Sequence, residues 1–213
     1  MDGGFMARKG LFVTLEGVDG SGKSTQTELL ERALKATGRE VISLREPGGT
    51  RLSEKLRLMV LDPGNDDMCD ECELLLYEAS RAQLVREVIS PALERDAIVL
   101  CDRFYDSTYA YQAGGRGLSP DVVRAANQLG SCGINPDVTL VLDIDPTEAF
   151  GRATLDGADR LEGEGTSFQQ RVRAAYLDLA DFEPNRVRIV NARGTREVVH
   201  ARTMAALREV VSF

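Results

Sequence analysis

Five short apolar runs punctuate the chain, at residues 11–16, 41–44, 97–101, 138–142 and 187–190. They are rich in Val, Ile and Leu and mostly apolar at successive positions, the pattern of strands buried on both faces. Between them lie longer stretches with apolar residues every three or four positions, predicting helices over 24–37, 52–61, 72–93, 121–129, 146–153, 168–179 and 195–210. Gly38 stands where the first of these helices should stop. Strands that alternate with helices predict an α/β fold, a five-stranded parallel sheet covered by helices on both faces. Ligands in such folds gather at the carboxyl ends of the strands. No internal repeat or long linker divides residues 1–213, so a single domain is expected. The least regular stretches are 62–70, 114–119 and 156–166.

The first strand runs into Gly17-Val18-Asp19-Gly20-Ser21-Gly22-Lys23-Ser24, a full match to the phosphate-binding loop pattern in its required place between a strand and a helix. Glycines there let backbone N–H groups turn inward around phosphates, and the helix start adds positive potential. Lys23 reaches the terminal phosphates of a nucleoside triphosphate and Ser24 ligates its Mg²⁺. The third strand ends in Asp102, the position from which a carboxylate stands beside that metal in P-loop proteins. Phosphoryl transfer also needs converging cations, and the candidates are Arg45, Arg103, Arg152 and Arg160. Arg45 and Arg103 follow strands and so belong at the ligand edge of the sheet. Residues 154–166, with glycines, acids and Arg160, suit a short lid that excludes water.

Composition narrows the partners. A formal charge of -8 over 213 residues excludes a broad cationic face for a nucleic-acid backbone. The four cysteines form no secreted disulfide framework, and neither an apolar leader nor an 18-residue apolar run is present, so a reducing cytoplasm and no membrane span are expected. Cys69 and Cys72 have C-x-x-C spacing, read as local packing at a helix start; Cys101 and Cys132 read as small buried hydrophobes.

Several segments together resemble the bacterial thymidylate kinases, a family of P-loop nucleoside monophosphate kinases. They are Leu15-Glu16-Gly17 through Thr25-Gln26, Arg45-Glu46-Pro47-Gly48-Gly49-Thr50, Asp102-Arg103-Phe104 through Tyr111-Gln112, Gly114-Gly115-Arg116-Gly117, and Asp159-Arg160-Leu161-Glu162. The resemblance implies the three-layer P-loop NTPase fold and transfer of the γ-phosphate of ATP to dTMP, with Mg²⁺, in a homodimer on the route to dTTP. It implies that residues 17–25 bind ATP phosphates and that Asn191 and Ala192 line the adenine. Asp19 would hold the sugar 3′-hydroxyl, with Glu16 supporting that region, and Arg45 and Arg103 the monophosphate beside Pro47. Tyr77 would stack on thymine and Arg81 hydrogen-bond it. Thr108 and Gln112 lie near the base, and Tyr111 crowds the sugar 2′-carbon.

The family divides by whether a catalytic arginine comes from the loop or from the lid; here Gly20 and Ser21 stand where a loop arginine would, so the lid must supply it, from Arg152 or Arg160, although this lid is poorer in arginine than that of many bacterial relatives. Rival readings are a kinase of dUMP or of a nucleoside, separable by the base-facing set, and a nucleotide switch. GTP switches usually carry N-K-x-D, and Asn-Lys occurs nowhere in the chain.

Overall fold

The computed structural model describes residues 10–150 and 160–211. Strands β1 (Leu11–Glu16), β2 (Val41–Arg45), β3 (Ile98–Asp102), β4 (Val138–Asp143) and β5 (Val187–Asn191) form one sheet in the order β2-β3-β1-β4-β5, with every pairing parallel. β1, β3 and β4 are buried almost throughout, as their unbroken apolar runs demand. Two apolar clusters cover the two faces. One gathers Val13, Leu15, Leu140 and Leu142 beneath Leu30 and Leu34; the other gathers Phe12, Val99 and Cys101 beneath Leu84, Ile89 and Leu93.

The helices are α1 (Lys23–Lys35), α2 (Arg51–Leu61), α3 (Asp70–Leu84), α4 (Ser90–Glu94), α5 (Tyr105–Thr108), α6 (Pro120–Gly130), α7 (Pro146–Phe150), α8 (Thr166–Phe182) and α9 (Arg196–Val210). The single helix expected over 72–93 is two, joined by the π-helical turn Val85–Ile89, which leads into Pro91 in the first turn of α4. Proline has no N–H to give an α-helical ladder, and the wider turn bridges the place where that bond is missing. Sequence periodicity did not predict α5 or the π-helical turn Tyr109–Gly115 that continues it. That stretch is short and crowded with Tyr, Ser and Thr, which serve the site rather than an amphipathic stripe. Cys69 and Cys72 are both exposed, so the expected packing is absent, and Cys132 is only partly buried; Cys101 is buried as expected. Of the helix expected over 146–153, residues 146–150 are helical, and Arg152 and lid positions 154–159 lie outside the described residues.

Candidate active site

Register places Arg45 of β2 opposite Asp102 of β3, and Asp102 opposite Leu15 of β1, so the carboxyl ends of three neighbouring strands form one ledge. Above it opens a cavity of about 680 Å³, large enough for a small organic ligand. Its walls include Asp19, Gly20, Gly22, Lys23, Ser24 and Thr25 on one side and Arg45, Pro47, Tyr77, Arg81, Arg103, Thr108, Tyr111 and Gln112 on the other. The phosphate-loop motif and the separate segments around residues 45, 81 and 103 therefore meet in one chamber.

The loop's shape depends on glycine. Gly20 has φ 76°, and a Cβ there would stand 2.3 Å from the Ala149 carbonyl oxygen, far inside van der Waals contact. Lys23 is buried, and its Nζ donates to the carbonyls of Gly17 and Val18, both at 3.1 Å. Burial lowers its pKa, as does the neighbouring Arg103 charge, while Asp19, Asp102 and Glu16 oppose the shift. Ser24 Oγ donates to Asp102 Oδ2 at 3.1 Å. A hydroxyl and a carboxylate side by side at a phosphate loop fit Mg²⁺, which takes one or two protein oxygens and completes its shell with phosphate and water.

Asp19 and Arg103 form the floor. Arg103 sits in the left-handed region at φ 72°, which turns its side chain back over the loop. Its Nη2 donates to Asp19 Oδ1 and to the Tyr111 hydroxyl, and its Nη1 to the Gly17 carbonyl and Ser107 Oγ. Tyr111 in turn donates to Asp19 Oδ2 at 3.0 Å. Burial alone would raise the Asp19 pKa, but Arg103 and Lys23 outweigh it and hold the carboxyl below its ordinary value. Beneath lies Glu16, which accepts from the Phe104 N–H at 2.7 Å, from Ser107 and from the Tyr176 hydroxyl at 2.9 Å. Burial, then the Asp106 charge, pushes its pKa up to about 7.

On the far wall Arg81 is 1% exposed. Its Nε donates to Glu46 Oε2 at 2.8 Å, its Nη1 to Glu78, and its Nη2 to Thr108 Oγ1 at 2.9 Å. A guanidinium has five donors, so two are left beyond these three, and Arg81 is part of the cavity lining. One guanidinium cannot neutralise two buried carboxylates, and burial pushes the Glu46 pKa up to about 8 despite Arg81. Arg45 is half-exposed and is held by Glu54 at 3.0 Å and the Pro47 carbonyl at 2.8 Å.

Among the described residues, Gly17, Val18, Ser21, Arg160, Asn191 and Ala192 of the expected site do not line the cavity. Arg160 is engaged by Glu73 and by the Val60 carbonyl, at 3.2 Å, rather than by the phosphate loop. Asn191 and Ala192 lie at the end of β5, where Ala192 N donates to the Asp143 carbonyl at 2.9 Å and Asn191 accepts from the Arg193 N–H at 2.9 Å. Sequence reasoning missed Glu73 and Tyr176. Glu73 lies four residues before Tyr77 and eight before Arg81, on the same helix face, and that spacing could have found it.

A family profile described as thymidylate kinase matches residues 15–203. The chain is 46% identical to the thymidylate kinase of Bifidobacterium longum (strain DJO10A), over 94% of this chain and 98% of that one. It is 46% identical to that of Pseudomonas syringae pv. tomato, over 96% and 98%. The crystal structure of thymidylate kinase from Ehrlichia chaffeensis superimposes with a TM-score of 0.77 at 32% identity, covering 93% of this chain and 98% of that one. With such matches spanning nearly its whole length, this chain belongs to the thymidylate kinase family.

Proposed function

We infer that this chain transfers the γ-phosphate of ATP to dTMP, giving dTDP and ADP, with the donor and the acceptor held at opposite walls of the one cavity. The observation that carries the assignment is the shared chamber: Lys23, Ser24 and Asp102 line the same cavity as Arg81, Tyr77 and Gln112, with Asp19 and Arg103. Loop N–H groups of residues 17–25 cradle the donor phosphates, with Asn191 and Ala192 assigned to the adenine by resemblance. Mg²⁺ beside Ser24 and Asp102 would neutralise phosphate charge during transfer.

On the acceptor side, Asp19 takes the 3′-hydroxyl, and Arg45 and Arg103 take the monophosphate. Tyr77 stacks on the base, and Arg81, Thr108 and Gln112 supply hydrogen bonds to it. Tyr111, pinned to Asp19, narrows the space beside the sugar 2′-carbon. The attacking phosphate oxygen is largely ionised near neutral pH, its second ionisation lying at about 6, so no general base is required. Lys23 and an arginine of the lid region, Arg152 or Arg160, meet the charge that spreads over the transferring group, and Arg103 orients the attacking phosphate oxygen.

Four free cysteines are compatible with a reducing cytoplasm, and no helix among the described residues is long and apolar enough to cross a membrane. A homodimer is supported by the exposed Leu58 and Met59 on α2, Leu75 on α3 and Leu129 on α6, with α3 packed against both of the other helices; light scattering tests it. Release of ADP, measured with ATP and Mg²⁺ against dTMP, dUMP, dCMP, AMP, GMP and thymidine in parallel, tests the acceptor. Preference for dTMP supports the assignment, and equal turnover of thymidine would overturn the phosphate-holding roles of Arg45 and Arg103.

A further inference from the structure

Glu73 is 0% exposed, and all four lone-pair directions of its carboxylate are used. Oε1 accepts from Gln112 Nε2 at 2.8 Å and from Arg116 Nε at 3.3 Å. Oε2 accepts from Arg116 Nη2 at 3.0 Å and from Arg160 Nη2. With Glu73 itself they join three parts of the chain, which Arg116 ties together a second time through Asp70 and Glu164. Glu73 opens α3, Gln112 and Arg116 follow α5, and Arg160 precedes α8.

Two of the connections reach the cavity. Gln112 is itself part of the wall, and because its NH₂ donates to Glu73, the carbonyl end of that planar amide is turned the other way. Arg160 is pinned on its other side too, since its backbone N–H meets the Leu61 carbonyl at 3.4 Å, and its neighbour Leu161 and Leu61 both line the cavity. We propose that Glu73 is a positioning residue for the acceptor: its ionised carboxylate fixes the amide of Gln112 and draws Arg160 inward, so that Leu61, Leu161 and Gln112 together form a wall matched to dTMP. The inference rests on the acceptor-side assignment above.

The chemistry makes Glu73→Gln a sharp perturbation. Glutamine has nearly the same shape but only one acceptor oxygen, and its NH₂ would face donors of Gln112, Arg116 or Arg160. Wild-type enzyme is assayed first, with dTMP and ATP varied separately, so that absence of dTMP turnover indicts the acceptor assignment and not Glu73. Glu73→Gln should then raise the KM for dTMP about tenfold or more and lower kcat, with the KM for ATP changed by less than about twofold. Glu73→Asp, which keeps the charge on a shorter arm, should recover part of the loss. In a Gln112→Ala background, Glu73→Gln should add less than about threefold to the dTMP KM, because the path through the amide is already gone.

Circular dichroism and thermal unfolding establish the folded fraction of each variant, and kinetic constants are referred to folded protein. An unchanged dTMP KM in folded Glu73→Gln overturns the proposal. So do equal rises in both KM values, or full additivity with Gln112→Ala, either of which marks Glu73 as a general structural anchor. If Glu73→Gln does not fold, the Glu73→Asp constants decide by the same split.

Discussion

Replacing Glu46 with glutamine should make the protein's stability less dependent on pH, and the magnitude follows from the burial of its carboxyl. Glu46 is 6% exposed; Oε2 is held by Arg81 at 2.8 Å, and Oε1 has no hydrogen-bond partner. Burial, then the nearby Glu78 charge acting against the pull of Arg81, raises the pKa from 4.5 to about 8. A carboxyl whose folded value is raised favours folding when protonated, so its contribution is complete below the unfolded value. It is lost as pH rises through the folded value. Between about pH 5.5 and about pH 8 the linkage removes on the order of 3 kcal/mol from this one group. Glutamine mimics the protonated carboxyl and carries no such term. Urea unfolding of both proteins, followed by far-ultraviolet circular dichroism at fixed ionic strength, measures the difference. The gap between Glu46→Gln and wild type should widen in favour of the variant as pH rises, by about 3 kcal/mol across that window. Glu16, with its pKa at about 7, gives both proteins a further loss of the same sign, which cancels in the comparison. Stability profiles that run parallel would refute the reasoning, because they would mean that Glu46 stays ionised in the fold and that Arg81 compensates both carboxylates.

Lys23→Ala should lower kcat by about a thousandfold or more while the far-ultraviolet spectrum is retained, because the ammonium acts on developing phosphate charge; retained turnover would remove the loop lysine from the mechanism. Asp102→Asn weakens the oxygen that accepts from Ser24, and should raise the Mg²⁺ concentration needed for half-maximal rate about tenfold at fixed ATP. An unchanged Mg²⁺ titration would refute the pairing of these two residues with the metal. Gly20→Ala brings a Cβ to 2.3 Å from the Ala149 carbonyl at a positive φ, and should cost about 2 kcal/mol, a fall of roughly 4–8 °C in Tm, with a raised KM for ATP. A Tm within about 1 °C of wild type would show that the loop yields at no cost.

The sheet was legible because its strands are buried on both faces: β1 begins and ends where its apolar run does, and the other four differ from their expected bounds by one residue at one end or at both. The phosphate loop was legible because its function lies in backbone geometry, and glycines write that geometry into the sequence. The acceptor wall was only partly legible. Arg81 and Tyr77 could be placed by helical spacing once a family likeness supplied the first of them, but the carboxylates that hold the arginines could not. Glu46, Glu73 and Glu78 look like ordinary polar residues in a chain of which 28% is charged; their burial is a property of what folds over them. Helix α5 was hidden for a related reason. Its Ser107 and Thr108 contact Glu16 and Arg81, and Tyr111 of the turn that continues it contacts Asp19, so the stretch shows no periodic stripe.

A consistent electrostatic arrangement explains how an acidic protein can work on anionic substrates. Four cations at the site already have a carboxylate beside them: Arg103 is held by Asp19, Arg81 by Glu46 and Glu78, Arg45 by Glu54, and Lys23 lies 4.0 Å from Asp19. Holding a guanidinium in place before a phosphate arrives lowers the reorganisation needed on binding, which is the condition under which fixed charges favour a transition state over a loosely bound ground state. The same arrangement limits affinity, since a phosphate must share each arginine with a residue already bound to it. On the assignment proposed above, preference for one acceptor comes from the groups set against its base, Tyr77, Arg81, Thr108 and Gln112, and from whatever fixes their orientation. Substitutions at Gln112 and Tyr77 should therefore alter the ratio of dTMP to dCMP turnover, whereas Lys23 and Asp102 substitutions, on the phosphate loop and beside it, should lower both rates together.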